Sequence, residues 1–260
     1  MNILEKIAKK TLERITEKAK EIPLSEVRDS AEKLPKSADF PFEKALSGGE
    51  ISFICEVKRA SPSKGIIAEN FPYREIARDY ENAGAAAISC LTEPFWFKGS
   101  DAILRDISSD VKIPVLRKDF TVSEYMIYEA KILGASAVLL ISSILTEKKL
   151  REYLEIARGL GLSALVECRG EDEIKTAVSV GARIIGVNNR DLRDFSVDFG
   201  KSARLRKLVP EDRIFVAESG IKTAEDVQRL REIGADAALV GETLMRAADK
   251  AAALRELRGF

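Results

Sequence analysis

The sequence predicts a (β/α)8 barrel, and three observations predict it. From about residue 50 onward a short apolar run, a polar turn and a charged segment with helical spacing recur eight times. Four of the charged segments leave through Gly-Ala, at 84–85, 134–135, 181–182 and 234–235, the pattern of a left-handed glycine cap feeding a buried strand. The Gly-x-Gly-x-x-Gly turn that usually follows the first strand of an open doubly wound sheet does not occur after residue 57. Strands alternating with helices make a parallel sheet, and eight such units close into a barrel.

The predicted strands are, in order, "ISFICEV" (51–57), "AAAISCL" (85–91), "IPVLR" (113–117), "SAVLLI" (136–141), "SALVE" (163–167), "RIIGV" (183–187), "RIFVAE" (213–218) and "DAALVG" (236–241). The segments between them carry helix patterning. In 146–161, Leu150, Leu154 and Ala157 share a face, and Gly159 and Gly161 close the end. In 223–235, Thr223 is an N-cap, acids fill the first turn and Gly234 is the stop.

Residues 1–49 stand outside the repeat. "ILEKIAKKTLERITEKAKE" reads as one amphipathic helix with Ile3, Ile7, Leu12 and Ile15 near one face. "SEVRDSAEKL" (25–34) reads as a second, and Pro35, Pro41 and Gly48-Gly49 mark the passage onward. This helical extension is expected to cap one end of the barrel formed by 50–260, the whole making one structural domain.

Composition closes several routes. Forty-two basic residues balance 42 acidic ones, so no bulk field favours nucleic acid or an anionic membrane. No apolar run approaches the roughly 20 residues of a membrane-spanning helix, and the Glu- and Lys-rich N-terminus lacks the apolar stretch of a signal peptide. A cytoplasmic location is therefore expected. Cys55, Cys90 and Cys168 lie far apart within or beside apolar runs, which suits buried thiols better than disulfides, and no Cys-x-x-Cys pair offers a zinc site. Histidine is absent, so acid–base chemistry near neutral pH must use Lys, Glu, Asp, Tyr or Cys with shifted pKa values. Glutamine occurs once, at Gln228, while Lys, Glu and Arg abound, a bias seen in thermophile proteins.

The strand tips carry the chemistry. In such barrels the active site lies where the strands end. Side chains alternate in and out along a strand, so Glu56 and Lys58 face the same side as Ile54, and Cys55 faces the helices. The third strand ends in Lys118, the fifth in Glu167, and the sixth in "NNRD", where Asn188 and Arg190 share one parity. A single Lys or Glu past an apolar run is usually a solvated loop residue. Two lysines and two glutamates at three tips, with an Asn at a fourth, converge on one mouth where each can shift the others' pKa. "ESGI" and "GETL" follow the seventh and eighth strands, where phosphate sites recur in these barrels. Gly220 and Gly241 either let backbone N–H groups approach an anion or serve only as turns. Ser61 and Lys64 of "RASPSKG" are further candidate donors, with a solvated Lys64 as the equal alternative.

Seven ordered stretches, "EVKRASPSKG", "LTE" with "FKGS", "LRKDF", "LVE", "GVNNRDL", "AESGI" and "LVGETLMR", together resemble the indole-3-glycerol phosphate synthase family over roughly residues 50–247. The N-terminal helix also fits that family's extra segment. The resemblance implies cyclisation of 1-(2-carboxyphenylamino)-1-deoxyribulose 5-phosphate, with loss of CO2 and water, to indole-3-glycerol phosphate in tryptophan biosynthesis. It implies no metal or organic cofactor, no nucleic-acid or membrane partner, and a monomer. By matching motif, Lys118 would be the general acid and Glu167 the base. Glu56 and Lys58 would form a supporting ion pair, leaving open which of the two joins the dehydration step. Asn188 would orient the substrate and Arg190 would lie near its carboxylate. Phe120, with Phe95 or Phe97, would flank its aromatic ring. Ser61, Ser219, Gly220, Gly241 and the Glu242 N–H would complete the phosphate and substrate contacts. A glutamate side chain beside a phosphate repels it, so the Glu242 carboxylate is expected to turn away. Two alternatives stand beside this reading. A phosphoribosylanthranilate isomerase would want a Cys base and an Asp acid at the tips, and a non-catalytic phosphate-sensing barrel need not keep Lys118 and Glu167.

Overall fold

In the computed structural model, which describes residues 2–191 and 195–259, eight parallel strands close on themselves. They are β1 (Ser52–Val57), β2 (Ala87–Leu91), β3 (Val115–Lys118), β4 (Ala137–Ile141), β5 (Ser163–Cys168), β6 (Ile184–Asn188), β7 (Ile214–Glu218) and β8 (Ala237–Val240). Neighbours follow chain order, and β1 completes the ring by pairing with β2 on one side and β8 on the other. The predicted strands match these within two residues at every end.

Two layers of apolar side chains follow from the pleat. Ile54, Leu116, Leu139, Leu165, Ile184, Val216 and Leu239 fill the barrel interior. Phe53, Cys55, Ile88, Cys90, Val138, Val166 and Cys168 face outward into a second cluster with the surrounding helices. All three thiols are free and buried in that outer layer, where burial pushes Cys55 up to about 12. The helices are stopped as the sequence predicts. Gly84, Gly134, Gly181 and Gly234 take φ of 83°, 86°, 82° and 71°, a backbone region that L side chains avoid. Thr223 closes a capping box with Asp226. Among the described residues no helix is long and apolar enough to cross a membrane.

The N-terminal segment differs in detail from its prediction. Helix α1 (Ile3–Glu21) buries Leu4, Ile7, Thr11 and Ile15, while Leu12 is half exposed. Position 12 lies about 100° round the helix from 11, so the stripe runs 4-7-11-15 and bypasses it. Helix α2 spans Leu24–Glu32, and a third helix that the sequence reading does not contain, α3 (Pro41–Leu46), starts on its proline. The segment meets both ends of the barrel. Near the strand tips, Arg14 of α1 bonds Asp119 at 2.8 Å and contacts the Thr92 carbonyl. Below, Ala45 of α3 accepts from Ser52 at the start of β1, and Glu43 pairs with Arg183 at 2.8 Å just ahead of β6. Phe42 and Leu46 join the interior cluster.

Candidate active site

The strand pleat that buries Ile54, Leu116, Leu165 and Val216 inside the barrel also turns Glu56, Lys118, Glu167 and Glu218 into its mouth, two residues further along each strand. They open onto a cavity of about 830 Å³, the size of a small-molecule site. Glu56, Lys58, Ser61, Phe97, Lys118, Phe120, Glu167, Asn188, Arg190, Ser219, Gly220, Gly241 and Glu242 all line it. One candidate does not. Phe95 is 43 % exposed and stacks edge-on against Trp96 under Lys10, outside the cavity. The cause is a turn knotted around Glu93, whose buried carboxylate accepts the N–H groups of Phe95, Trp96 and Phe97 at 2.7–3.0 Å. That turn sends residue 97 inward and residue 95 out. Phe97 then meets Phe120 at 6.2 Å between ring centres.

The centre is an almost fully buried charged cluster. Lys58 Nζ lies 2.5 Å from Glu56, whose other oxygen accepts from Ser89 at 3.4 Å. Lys118 Nζ sits between two carboxylates, 3.6 Å from Glu167 and 3.4 Å from Glu218. Glu167 is also held by Arg169 at 3.2 Å. Asn188 stands opposite Glu218 in register, and its Oδ1 accepts the Arg190 N–H at 3.0 Å.

Glu218 is the residue that the sequence reading passes over. It closes "RIFVAE" with the parity of Val216, which alone places it inside, but the glycines after it draw the eye to the loop. Neither of its carboxylate oxygens has a hydrogen-bond partner among the described residues, although it is buried. Room for it comes from Gly186 on β6, where a Cβ would overlap its carboxylate. Gly241 does the same for the neighbouring pair, since a Cβ there would press on Glu56 and reach Lys58 Nζ at 2.9 Å.

Electrostatics divide the acids. Burial disfavours charge on each, but Lys58 and Lys118 outweigh it at Glu56 and hold that carboxyl below its ordinary range. At Glu167, Lys118 and Arg169 likewise prevail over burial. Glu218 is left with the remainder. Burial, with Glu167 and Glu56 repelling its charge, pushes it up to about 7 against the pull of Lys118. Lys118 itself is buried, yet Glu218, Glu167 and Glu56 keep its ammonium more firmly protonated than a free lysine. One chamber therefore holds a firmly protonated lysine, an ionised carboxylate and a carboxyl poised near neutrality. In a chain without histidine, Glu218 takes the place in the pH range that an imidazole would hold.

At the rim, Glu242 does not turn away as expected. Its carboxylate stays at the cavity lining within 3.3–3.8 Å of Lys64, Arg190 and Arg246, three cations that draw it inward. The last residue of the "GVNNRDL" stretch, Leu192, lies outside the described residues. Among the described residues no group of three His, Cys, Asp or Glu side chains is arranged to hold a metal ion.

Fold and site define a class: (β/α)8-barrel enzymes whose strand tips gather lysines and glutamates around one cavity. Within it, the family model for indole-3-glycerol phosphate synthase matches residues 4–257, and the chain belongs to that family. It is 57% identical over 257 residues to the indole-3-glycerol phosphate synthase of Ruminiclostridium cellulolyticum, covering 99% of both chains. To that of Endomicrobium trichonymphae it is 54% identical, covering 98% of this chain and 99% of the relative. Solved structures at lower identity share the fold. A 3-hexulose-6-phosphate synthase superposes with TM-score 0.62 at 17% identity, over 80% of this chain and 99% of its own. A thiamine phosphate pyrophosphorylase from Pyrococcus furiosus gives 0.62 at 19%, over 82% and 96%.

Proposed function

We propose that the chain closes the indole ring of indole-3-glycerol phosphate, starting from 1-(2-carboxyphenylamino)-1-deoxyribulose 5-phosphate. The observation that carries this reading is Lys118 held between Glu167 and Glu218 in a chamber with an aromatic wall on one side and cations at its rim. Phe97 and Phe120 flank the substrate's ring, and Arg190 pairs with the carboxylate on it. The ring carbon bearing that carboxylate attacks the ketone carbon, and the Lys118 ammonium delivers a proton to the ketone oxygen as the bond forms. Loss of CO2 returns its bonding electrons to the ring. Glu167 then takes a proton from the new ring while the hydroxyl group leaves as water, its second proton supplied from the Glu56–Lys58 pair. Glu56 and Lys58 set the charge of the chamber from the side, and Asn188 orients the substrate. Ser61, Ser219, Gly220 and Gly241 receive the phosphate, while the Glu242 N–H drops out of that set because its carboxylate stays at the cavity rim.

The enzyme in this reading is a cytoplasmic monomer without nucleic-acid or membrane partners, and its Lys-, Glu- and Arg-rich composition suits a thermophile. An isomerase built on a cysteine base is not favoured, because Cys55 faces the helices and burial keeps its thiol protonated.

The test is direct. Mixing purified protein with the substrate should produce indole fluorescence, and Lys118→Met should lower the rate by about 10²–10⁴-fold. No signal above the Lys118→Met background would end the synthase reading.

A further inference from the structure

Glu242 is an acid set among bases. Its carboxylate lies 3.8 Å from Lys64 Nζ, 3.6 Å from Arg190 Nη2 and 3.3 Å from Arg246 Nε. Lys64 comes from the loop after β1 and Arg190 from the loop after β6, while Arg246 stands one turn on from Glu242 in the short helix after β8. Two loop cations and one helical cation meeting at one rim make an anion station for a doubly charged group, and here a side chain of the protein itself is drawn into it. The side chain is only 30% exposed, so the attraction is not dissipated into bulk water.

We propose that Glu242 acts as a built-in counter-anion at the phosphate end of the cavity. It competes with incoming phosphate for Lys64 and Arg246, while Arg190 is taken up by the carboxylate of the full substrate. Free inorganic phosphate, which brings only its charge, is thereby held off. The full substrate adds an aromatic ring for Phe97 and Phe120 and a carboxylate for Arg190, and so displaces the acid. Glu242 is in this sense a specificity residue for ligands that bring more than a phosphate. The inference rests on the phosphate assignment made above and deepens it.

Competitive inhibition by inorganic phosphate reads the effect. Two like charges about 6 Å apart near the surface repel enough that Glu242→Gln should bind phosphate about five- to tenfold more tightly than the parent. The KM for substrate should fall with it while kcat does not rise, and the gap between the two proteins should shrink as salt is added. Glu242→Asp, which keeps the charge, should stay within about twofold of the parent. Arg246→Gln removes a cation instead and should weaken phosphate, the opposite sign. A merely structural role for Glu242 predicts weaker phosphate binding in both acid variants. Phosphate inhibition unchanged or weakened in a folded Glu242→Gln protein would overturn the proposal. If the parent forms product and phosphate competes, the functional reading stands whatever the variants do. If the parent forms no product, that reading fails first. Product without phosphate competition overturns the station itself.

Discussion

Arg117 and Lys118 are consecutive residues of β3, yet the pleat of the strand sends them into two differently built charged clusters. Arg117 shares parity with Val115 and points outward. Its guanidinium reaches Asp101 at 2.8 Å, Glu129 at 2.7 Å and the Met126 carbonyl at 3.0 Å. The cluster continues to α1, where Lys18 bonds Asp101 at 2.7 Å and Arg14 bonds Asp119 at 2.8 Å. Lys118 points inward, and its two closest carboxylates stand at 3.4 and 3.6 Å. Both clusters are buried and both use the same residue types. The outer one is drawn tight by short, multiply bonded contacts. The inner one is left loose, with Glu218 short of partners. Tight pairing holds a helical segment onto a barrel, whereas loose pairing leaves charges free to change partners when a substrate arrives.

Breaking each cluster at its centre should separate these roles. Lys118→Met, already expected to cost the most rate, should cost less stability than Arg117→Met, because Glu218, whose carboxyl is already raised to about 7, can take up a proton when the cation is gone. Arg117→Met should do the reverse. With Asp101, Asp119 and Glu129 left buried without their shared cation, it should lose about 3–5 kcal/mol of stability in a denaturant titration. Turnover per folded molecule should change only a few-fold. Lost turnover at full stability in Arg117→Met would show that the two clusters do not divide the work.

Glu218 sharpens the contrast through pH. A carboxyl raised to about 7 binds its proton more tightly in the folded chain than in the unfolded one. Its contribution to stability is therefore complete below the unfolded value near 4.5 and is lost as pH rises through about 7. Glu218→Gln removes that loss. The variant should be more stable than the parent at pH 8, by about 1–3 kcal/mol, with the advantage gone near pH 4. The limb of kcat/KM near neutrality should vanish as well. A pH–rate profile that keeps this limb in the Gln variant would place the titrating group elsewhere. The smallest effect concerns the wall. Phe97→Ala gives up a ring contact worth about 1 kcal/mol and should raise KM several-fold with kcat nearly unchanged. Equal losses in both would make Phe97 more than a wall.

The barrel was legible because its signals are local and repeated. Each strand is a short apolar run, and four of the helices end at a glycine whose φ only glycine readily takes. Parity then placed Glu56, Lys58, Lys118, Glu167 and Asn188 at one mouth without any coordinates. What escaped depends on shape that no local pattern carries. Phe95 and Phe97 have the same parity and the same chemistry, and only the turn around Glu93 decides which faces in. Helix α3 is six residues long, too short for periodicity to declare it. The direction of the Glu242 side chain is set by cations from loops far apart in sequence. Glu218 is a different kind of miss, because its parity was readable and the neighbouring glycines drew attention past it.

Gly186 and Gly241 carry a lesson for anyone recasting this scaffold toward another reaction. Neither position touches a guest through a side chain, because neither has one, and both are therefore easy to treat as free choices in a library. Yet adding a single methyl at either would evict an acid from its seat and dismantle the proton chemistry from behind. Diversification belongs at the aromatic wall and along the rim. The two bare spots must be carried through every round unaltered.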